Sequence, residues 1–406
     1  MHTDTPAQSM TLRSWLALFI LALSTFTIVS TELIPVGLLT PIAEGLQVSR
    51  AAIGMTVSFY AWLGAISALL ASVWLGHVAK KRLLLTLTLI LLASNALAAS
   101  VNTYSVLLVA RLLGALAHGA FWAMVGATAV ALVPAKYIGV ATSVVFGGVS
   151  AASVVGVPLS NYIGLHFGWR QAFWLMTLFS GVAFIGISTL IPPIASQSAI
   201  GTAALRRVLA SSALWKIFAA TLLAVTAHFA AFTFIEPWLD TQHTLTPGEI
   251  PLALLVFGAA GLVGNILTGV VIDRHLKSTV TASVLLMAAV LMGVGGARAA
   301  LPGSVVFAAV LIWGGAVSGV FVGFQTWVLR LAGDHAFPAS ALYVAWFNTA
   351  IGLGATLGAG IVSACSIPQL YLVAGGAMAL SILLVAIIPT RNASVPASAI
   401  EASAAH

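Results

Sequence analysis

Residues 14–39 have the sequence SWLALFILALSTFTIVSTELIPVGLL, a continuous apolar run that contains one charged side chain, Glu32. A helix needs about 20 mostly apolar residues to cross a bilayer, so this run is long enough to span one. It is too long for the core of a signal peptide, and no small-residue cleavage site follows a basic start. We therefore predict a retained first transmembrane helix.

About twelve such runs follow one another along the 406 residues, of which 61% are hydrophobic and 6% charged. The mean hydropathy is +1.11, whereas soluble proteins carry about 25% charge. The runs lack the strict alternation of barrel strands, which favours helices. We predict an all-α membrane protein with twelve transmembrane helices, at residues 14–39, 51–76, 83–101, 105–132, 138–164, 171–192, 214–238, 250–272, 279–298, 304–330, 339–363 and 369–390.

The longest polar gap, residues 193–213, divides these helices into six and six. Two six-helix halves predict paired bundles around a central cavity, with substrate bound near the membrane midplane. The Ala/Ser-rich end of the chain is predicted to be disordered. The predicted organisation is a cytoplasmic tail (1–13), an N-terminal bundle (14–192), a cytoplasmic linker (193–213), a C-terminal bundle (214–391) and a disordered tail (392–406).

Basic residues predict the orientation, because lysine and arginine accumulate on the cytoplasmic side of membrane proteins. With the amino terminus in the cytoplasm, Arg50, Arg170 and Arg298 fall outside, and Arg111 falls within a helix. The remaining basic residues then lie on the cytoplasmic side: Arg13, Lys80, Lys81, Arg82, Lys136, Arg206, Arg207, Lys216, Arg274, Lys277, Arg330 and Arg391. This bias predicts an even number of helices and cytoplasmic termini.

Several function classes are disfavoured by the composition. The net charge of +7 is scattered over helix ends, so it does not indicate nucleic-acid binding. Cys365 is the only cysteine, which rules out an internal disulfide, and no ligand spacing indicates a metal or another cofactor. No nucleophile, base and orienting group occur together, so we do not expect an enzyme.

Two acids fall inside apolar stretches, Glu32 in TELIPVGLL and Glu236 in FIEPWL. A carboxylate in hydrocarbon costs about 2.5–3.5 kcal/mol, and such residues commonly mark proton or substrate pathways. Glu32 is a candidate proton-coupling site or acceptor for sugar hydroxyls; the alternative is a structural carboxyl that bonds to a neighbouring helix. Glu236 is a second proton-coupling candidate, or an acid solvated at the membrane interface.

Three further candidates share one face of the fourth predicted helix: Arg111, His118 and Trp122. A buried arginine needs a partner or a wet cavity, so Arg111 is either a coupling residue or a fixed ion pair or carbonyl cap. His118 fits a proton relay or a sugar hydrogen bond, and Trp122 could stack on a sugar ring. The alternative for His118 is an ordinary, hydrogen-bonded core histidine.

Other polar and aromatic residues within spans are candidates for substrate binding, although amides and phenols also join helices structurally. His228 precedes Phe232 and Glu236 by about one and two helical turns, which repeats a theme of histidine, aromatic residue and carboxylate. Its alternative is an interhelix hydrogen bond. The remaining candidates for the substrate cavity are Tyr60, Trp62, Gln325, Phe347 and Asn348.

Five segments together resemble one family: TELIPVGLLTPIA, SFYAWLGAI, RLLGALAHGAFWAM, AHFAAFTFIEPW and WFNTAIGLGATLG. They resemble the sugar efflux transporters, the arabinose and lactose exporters of the drug/proton antiporter branch of the major facilitator superfamily. The resemblance covers about residues 14–390 and implies two pseudo-symmetric six-helix bundles. The AHGAFW and AHFAAFTFIEPW segments are fairly specific for this subgroup.

The same resemblance implies gating positions. Gly147, Gly148, Gly156 and Pro158 match the fifth-helix motif of exporters, and such residues also allow a kinked helix to pack closely. Gly269, Asp273 and Arg274 match the superfamily loop motif of the second half. The first-half copy, GHVAKKRLL at residues 76–84, lacks the acid, which weakens the expectation that this loop closes the inner gate.

The resemblance implies proton-coupled efflux of sugars or sugar-like molecules across the bacterial inner membrane by alternating access. A multidrug or nucleoside exporter of the same fold is the alternative, and a non-transporting membrane sensor is a third hypothesis. Partners are a small-molecule substrate, protons and the lipid bilayer, and we expect a monomer.

Overall fold

The computed structural model describes residues 10–75, 77–134, 137–194, 202–297 and 299–389, and these ranges contain helices and connections without a strand. The α-helices are α1 (Leu12–Gly37), α2 (Leu39–Leu46), α3 (Arg50–Trp74), α4 (Lys80–Ser100), α5 (Tyr104–Trp122), α6 (Val125–Ala131), α7 (Ile138–Ala151), α8 (Val157–Phe167), α9 (Trp169–Leu190), α10 (Thr202–Leu209), α11 (Ser212–Phe232), α12 (Ile235–Asp240), α13 (Glu249–Gly296), α14 (Gly303–Ala332), α15 (Ala336–Ala364) and α16 (Ile367–Ala386).

Among the described residues, eleven helical segments are long and apolar enough to cross a membrane. One of them, α13, has 48 residues and is interrupted by non-helical backbone at His275. At 1.5 Å per residue its 48 residues are about 72 Å long, more than twice the thickness of a bilayer core of about 30 Å. The kink separates the two spans predicted at 250–272 and 279–298. The prediction of twelve transmembrane helices in an all-α protein is therefore confirmed.

Several predicted spans contain breaks that apolar patterning does not show. The fifth span holds a π-helical segment, Ala152–Gly156, between α7 and α8. Pro158 lacks the N–H that would bond to the carbonyl four residues earlier, which favours this local widening. Similarly, Pro237 follows the break between α11 and α12. A short helix, α2, was not predicted.

The two halves meet through close contacts at small residues. Gly258 of α13 lies against the backbone of Ser153 and Val154, and an added Cβ would collide with it. Gly352 of α15 lies against the Trp62 side chain in the same way. Such close approach between helices is typical of glycine in membrane proteins.

We name the two ends of the helices by their residues. The Arg50 end holds α2 and the first residue of α3, and the Lys80 end holds the first residue of α4. Predictions for Gly76, Lys136, Arg298, Arg391 and the segments 1–9, 195–201 and 392–406 lie outside the described residues. The predicted linker includes α10, which is described.

Candidate functional site

Arg111 completes a gap in the hydrogen bonding of α1. Pro35 lies inside α1 and has no N–H to donate to the carbonyl of Thr31. The guanidinium of Arg111 donates to that carbonyl instead, and also to the carbonyl of Glu32 at 2.9 Å. Its Cζ lies 4.1 Å from the centre of the Tyr60 ring, a cation–π distance. Arg111 therefore joins α5 to α1 through main-chain carbonyls and contacts α3 through an aromatic face.

His118 lies between a hydrogen-bond donor and an acid. The indole Nε1 of Trp122 donates to Nε2 of His118 at 3.0 Å. A Glu32 carboxylate oxygen, Oε2, lies 3.7 Å from the same nitrogen. An imidazole nitrogen accepts a hydrogen bond only without a proton and donates one only with it. The protonation of this nitrogen therefore determines which of the two neighbours it can bond.

The four predicted proton-coupling residues are nearly enclosed: Glu32 is 9% exposed, Arg111 1%, His118 3% and Glu236 4%. The structure brings Glu32, Arg111 and His118 together in one cluster beside Tyr60, whose ring centre is 5.4 Å from that of His118. Tyr60 Oη and Arg111 Nε are buried without a hydrogen-bond partner. The cluster is thus a compact set of polar groups within the first bundle.

Glu236 lies apart from this cluster and connects the two halves. Its Oε2 accepts a hydrogen bond from the backbone N–H of Thr40 at 2.9 Å. Thr40 lies in the first turn of α2, where N–H groups have no partner within the helix and favour a nearby negative charge. Near it, Arg50 and Asp240 form an ion pair at 3.0 Å. Glu236 therefore holds the Arg50 end of the molecule together across the bundle interface.

A cavity of about 220 Å³ lies between the two halves. Its polar lining consists of Ser150, Ser153, His228, Asn265 and Ser318, and its aromatic lining of Phe229, Phe232, Phe257 and Phe321. Leu33, which follows Glu32 in the sequence, also lines it. Of the predicted substrate-binding residues, His228 lines this cavity.

His228 is held by Trp313, whose Nε1 donates to Nδ1 of the imidazole at 3.1 Å. Its ring stacks on Phe232, with centres 5.3 Å apart and planes 16° apart. Glu236 follows the break after α11 and contacts α2 instead. The predicted histidine–aromatic pair is therefore present, but the carboxylate is not part of it.

Gln325, Asn348 and Phe347, three of the other predicted substrate-binding residues, contact residues of the protein itself. Gln325 donates to Ser340 at 3.2 Å, and Asn348 to the carbonyl of Val344 at 2.9 Å. Phe347 packs edge-on against Phe321 and so supports the cavity wall from behind. Trp62 lines a second cavity, of about 410 Å³, which also contains Trp215 and Trp346.

The predicted gating residues occupy two kinds of position. Gly148 and Gly156 pack against α1, at Thr25 and Ser30, whereas a Cβ on Gly147 or Gly269 would meet open space. Pro158 lies in the first turn of α8, beside the π-helical segment. In the second half, Asp273 pairs with Arg330 of α14 at 2.6 Å, and Arg274 lines a surface groove next to them.

An internal repeat identifies one residue that sequence reasoning missed. Residues 114–121, GALAHGAF, match residues 314–321, GGAVSGVF, at both glycines and at the phenylalanine. The match places Ser318 at the position of His118, and Ser318 lines the cavity. The remaining missed residues are Phe229, Phe257, Trp313, Asn265, Thr40 and Asp240. For Phe229 the available signal was the run of aromatic residues after His228, AHFAAFTF.

Comparison with known proteins gives one family. A family described as "Major Facilitator Superfamily" matches residues 15–341. A mutant of the nucleoside transporter NupG has the same fold, with a TM-score of 0.73 and 14% identity over 92% of this chain and 99% of that one. The structure of the human organic anion transporter MFSD10 (TETRAN) matches with a TM-score of 0.66 and 16% sequence identity. The match covers 92% of this chain and 99% of that one. A bacterial homologue of the human lysosomal transporter Spinster, in an inward-facing and unoccupied conformation, matches with a TM-score of 0.66 and 14% sequence identity. The match covers 94% of this chain and 96% of that one.

At these identities the solved structures establish the fold alone, but the family match covers most of the chain. The twelve helices, the cavity between the halves and this match lead to one conclusion: the chain belongs to the major facilitator superfamily.

Proposed function

We propose that this multi-pass membrane protein exports sugars or sugar-like small molecules across the bacterial inner membrane in exchange for protons, by alternating access. Membership of the superfamily indicates a transporter of small molecules rather than an enzyme. The proposal of proton coupling is supported by the position of His118 Nε2 between the Trp122 indole and the Glu32 carboxylate.

In the proposed cycle, protonation of His118 Nε2 changes the hydrogen-bond partner of that nitrogen. Without the proton, the nitrogen accepts from Trp122; with it, the nitrogen donates toward Glu32. Trp122 is the last residue of α5, directly before the break that precedes α6. Release of the indole therefore acts on a helix end that is already interrupted, and it biases the conformations of the first bundle.

Glu236 supplies a second step at the Arg50 end, which faces outward if both termini are cytoplasmic. An ionised carboxylate accepts a stronger hydrogen bond from Thr40 than a protonated one does. A proton arriving from outside therefore weakens the connection between Glu236 and α2 and favours opening at this end. Substrate or proton shifts the equilibrium between the inward-open and outward-open states only to the extent that it binds one state more tightly than the other.

A panel of labelled sugars and drugs, tested on vesicles with an imposed pH gradient, tests the proposal. We expect accumulation of at least one sugar, with collapse of the gradient abolishing it. Accumulation of lipophilic drugs without sugars would contradict the sugar assignment, and counterflow without any response to pH would contradict proton coupling. Binding without counterflow would indicate a membrane sensor.

A nucleoside exporter is the second candidate. The aromatic cavity wall suits a flat base, and the similar structure of NupG is that of a nucleoside transporter. Including uridine in the panel separates this candidate from the sugar exporter.

The exchange at His118 predicts a shifted pH profile for Trp122→Phe, which removes the indole N–H but keeps an aromatic ring. The indole stabilises the unprotonated nitrogen, so the pH of half-maximal exchange should move upward by up to about one unit, from a net hydrogen bond of about 0.5–1.5 kcal/mol. The charged and titratable groups that face the ring, Glu32, Tyr60 and Arg111, are unchanged.

The control for this profile is Trp174→Phe, because Trp174 is an exposed residue of α9. Counterflow measured across a pH series checks both variants. An unchanged or lowered half-point for Trp122→Phe would contradict the exchange of partners.

The two connections at the Arg50 end predict unequal effects. Glu236→Ala leaves the buried N–H of Thr40 unpaired, which costs about 1–3 kcal/mol, so opening at this end should become about tenfold more favourable. Arg50→Gln breaks a partly exposed ion pair worth about 0–1 kcal/mol and should have a much smaller effect.

Spin labels are attached at Gln47 and Thr241 in a Cys365→Ser background. Double electron–electron resonance then reports opening at this end as a longer distance between the two labels. Both labelled positions are exposed. Equal distance distributions in Glu236→Ala and the parent would contradict the proposed role of Glu236.

A further inference from the structure

The cavity between the halves has a chemical character that restricts its ligand, and the inference from it rests on the proposed transport function. None of the described residues that line the cavity carries a formal charge. An ion that entered would lose hydration without gaining a counter-charge, which is strongly unfavourable. The lining therefore selects against both carboxylates and ammonium groups.

His228 offers a hydrogen-bond donor rather than an acceptor. Trp313 donates to Nδ1, so that nitrogen carries a lone pair, and the proton of the neutral imidazole lies on Nε2. Among the described residues Nε2 has no hydrogen-bond partner, and His228 lines the cavity. A ligand next to it therefore needs an acceptor oxygen or nitrogen.

The aromatic residues around His228 pack against one another and form an apolar wall of the cavity. Phe232 and Phe257 are stacked, with centres 5.1 Å apart, and Phe229 and Phe321 are parallel at 6.2 Å. Ser150 and Ser153 come from the first bundle and supply hydroxyl groups to the same cavity. The cavity thus combines an aromatic wall, one fixed donor and a polar rim contributed by the other half.

We infer that this cavity binds an uncharged glycoside whose sugar is attached to a flat ring. The ring fits the phenylalanine wall, and the sugar oxygens fit the His228 N–H and the serine hydroxyls. Because residues of both halves line the cavity, such a ligand contacts both bundles at once. Aryl glycosides and nucleosides share this chemistry, and the test below distinguishes them.

The test is equilibrium binding to the full-length protein in nanodiscs, by calorimetry, without any gradient. The probes are phenyl β-glucoside, methyl β-glucoside, which lacks the ring, and phenyl β-glucuronide, which adds a carboxylate; uridine is the nucleoside arm. We expect phenyl glucoside or uridine to bind about tenfold or more tightly than methyl glucoside. The glucuronide should bind about a hundredfold more weakly than phenyl glucoside.

Variants test the role of His228 separately. His228→Ala should weaken binding about tenfold, whereas His228→Gln, which keeps an N–H donor, should retain most of it. Phe321→Leu should weaken binding of the ring-bearing probes alone. The control is Phe179→Leu, which changes an aromatic residue that packs on Phe26, outside the cavity lining.

Equal affinity for the phenyl and methyl glucosides, undiminished binding of the glucuronide, no binding of any probe, or full affinity in His228→Ala would overturn the inference. Because binding needs no gradient, its outcome is independent of proton coupling. Ring-selective binding together with pH-independent transport would overturn the proposed function and leave the cavity assignment intact.

Discussion

Glu32→Gln is expected to abolish gradient-driven accumulation of substrate while leaving counterflow in place. The amide cannot bind or release a proton, but it keeps nearly the same size and polarity within 4 Å of His118. One charge moving across 100 mV supplies about 2.3 kcal/mol, or about a fifty-fold gradient, and this drive should be lost.

Vesicles with an imposed pH gradient and potential measure the effect, with Glu44→Gln as the matched control. Glu44 is an exposed acid of α2, so the same chemical change there should leave accumulation at the parent level. A Glu32→Gln protein that concentrates substrate as well as the parent does would exclude Glu32 as the coupling site. Running Glu236→Gln alongside separates the two acids, because its amide oxygen can still accept from Thr40.

Arg111→Met is expected to destabilise the protein through the backbone of α1, and Pro35→Ala is expected to reverse most of that loss. Without the guanidinium, the buried carbonyl of Thr31 has no partner, which costs about 1–3 kcal/mol. Alanine at position 35 restores the N–H that an α-helix would donate to this carbonyl. The two substitutions should therefore be strongly non-additive.

Unfolding of the four proteins of the cycle in SDS, followed by far-ultraviolet circular dichroism, measures this coupling. Lys80→Met combined with Pro35→Ala is the control, because Lys80 donates to a different carbonyl, that of Ala127. This control pair should be additive. Additive effects in the Arg111 and Pro35 pair would show that the guanidinium does not substitute for the missing N–H. Transport should stay impaired in the rescued double variant if Arg111 also participates in coupling.

The fold was largely predictable because hydrocarbon imposes a strong and simple rule on the sequence. Each run of about 20 apolar residues has to satisfy its own backbone, so length and composition locate the spans to within a few residues. The interruptions were less visible, since a π-helical segment or a break before Pro237 changes local hydrogen bonding without changing hydropathy. The short helix α2 was missed for a related reason: it is brief and follows the first span directly.

The site was predictable in composition but only partly in arrangement. The cost of burying a charge identified Glu32 and Arg111, and the helix face shared with Arg111 identified His118; the structure brings the three together. Their partners depend on how neighbouring helices pack, which a single sequence does not state. Glu236 illustrates this: its partner, Thr40, lies 196 positions away in the chain. The sequence predicts Tyr60 and Asn348 as cavity residues, yet helix packing encloses both.

The contact of Gly258 with Ser153 and Val154 has a consequence for the speed of turnover. Where backbone meets backbone, no side chains interlock, so one helix can shift along the other without changing rotamers. The kinetic barrier of the conformational step should then be low at this crossing. A methyl group added at Gly258 would collide with the Ser153 backbone and raise that barrier. In a Gly258→Ala variant, this crossing would therefore limit the turnover number of the transporter.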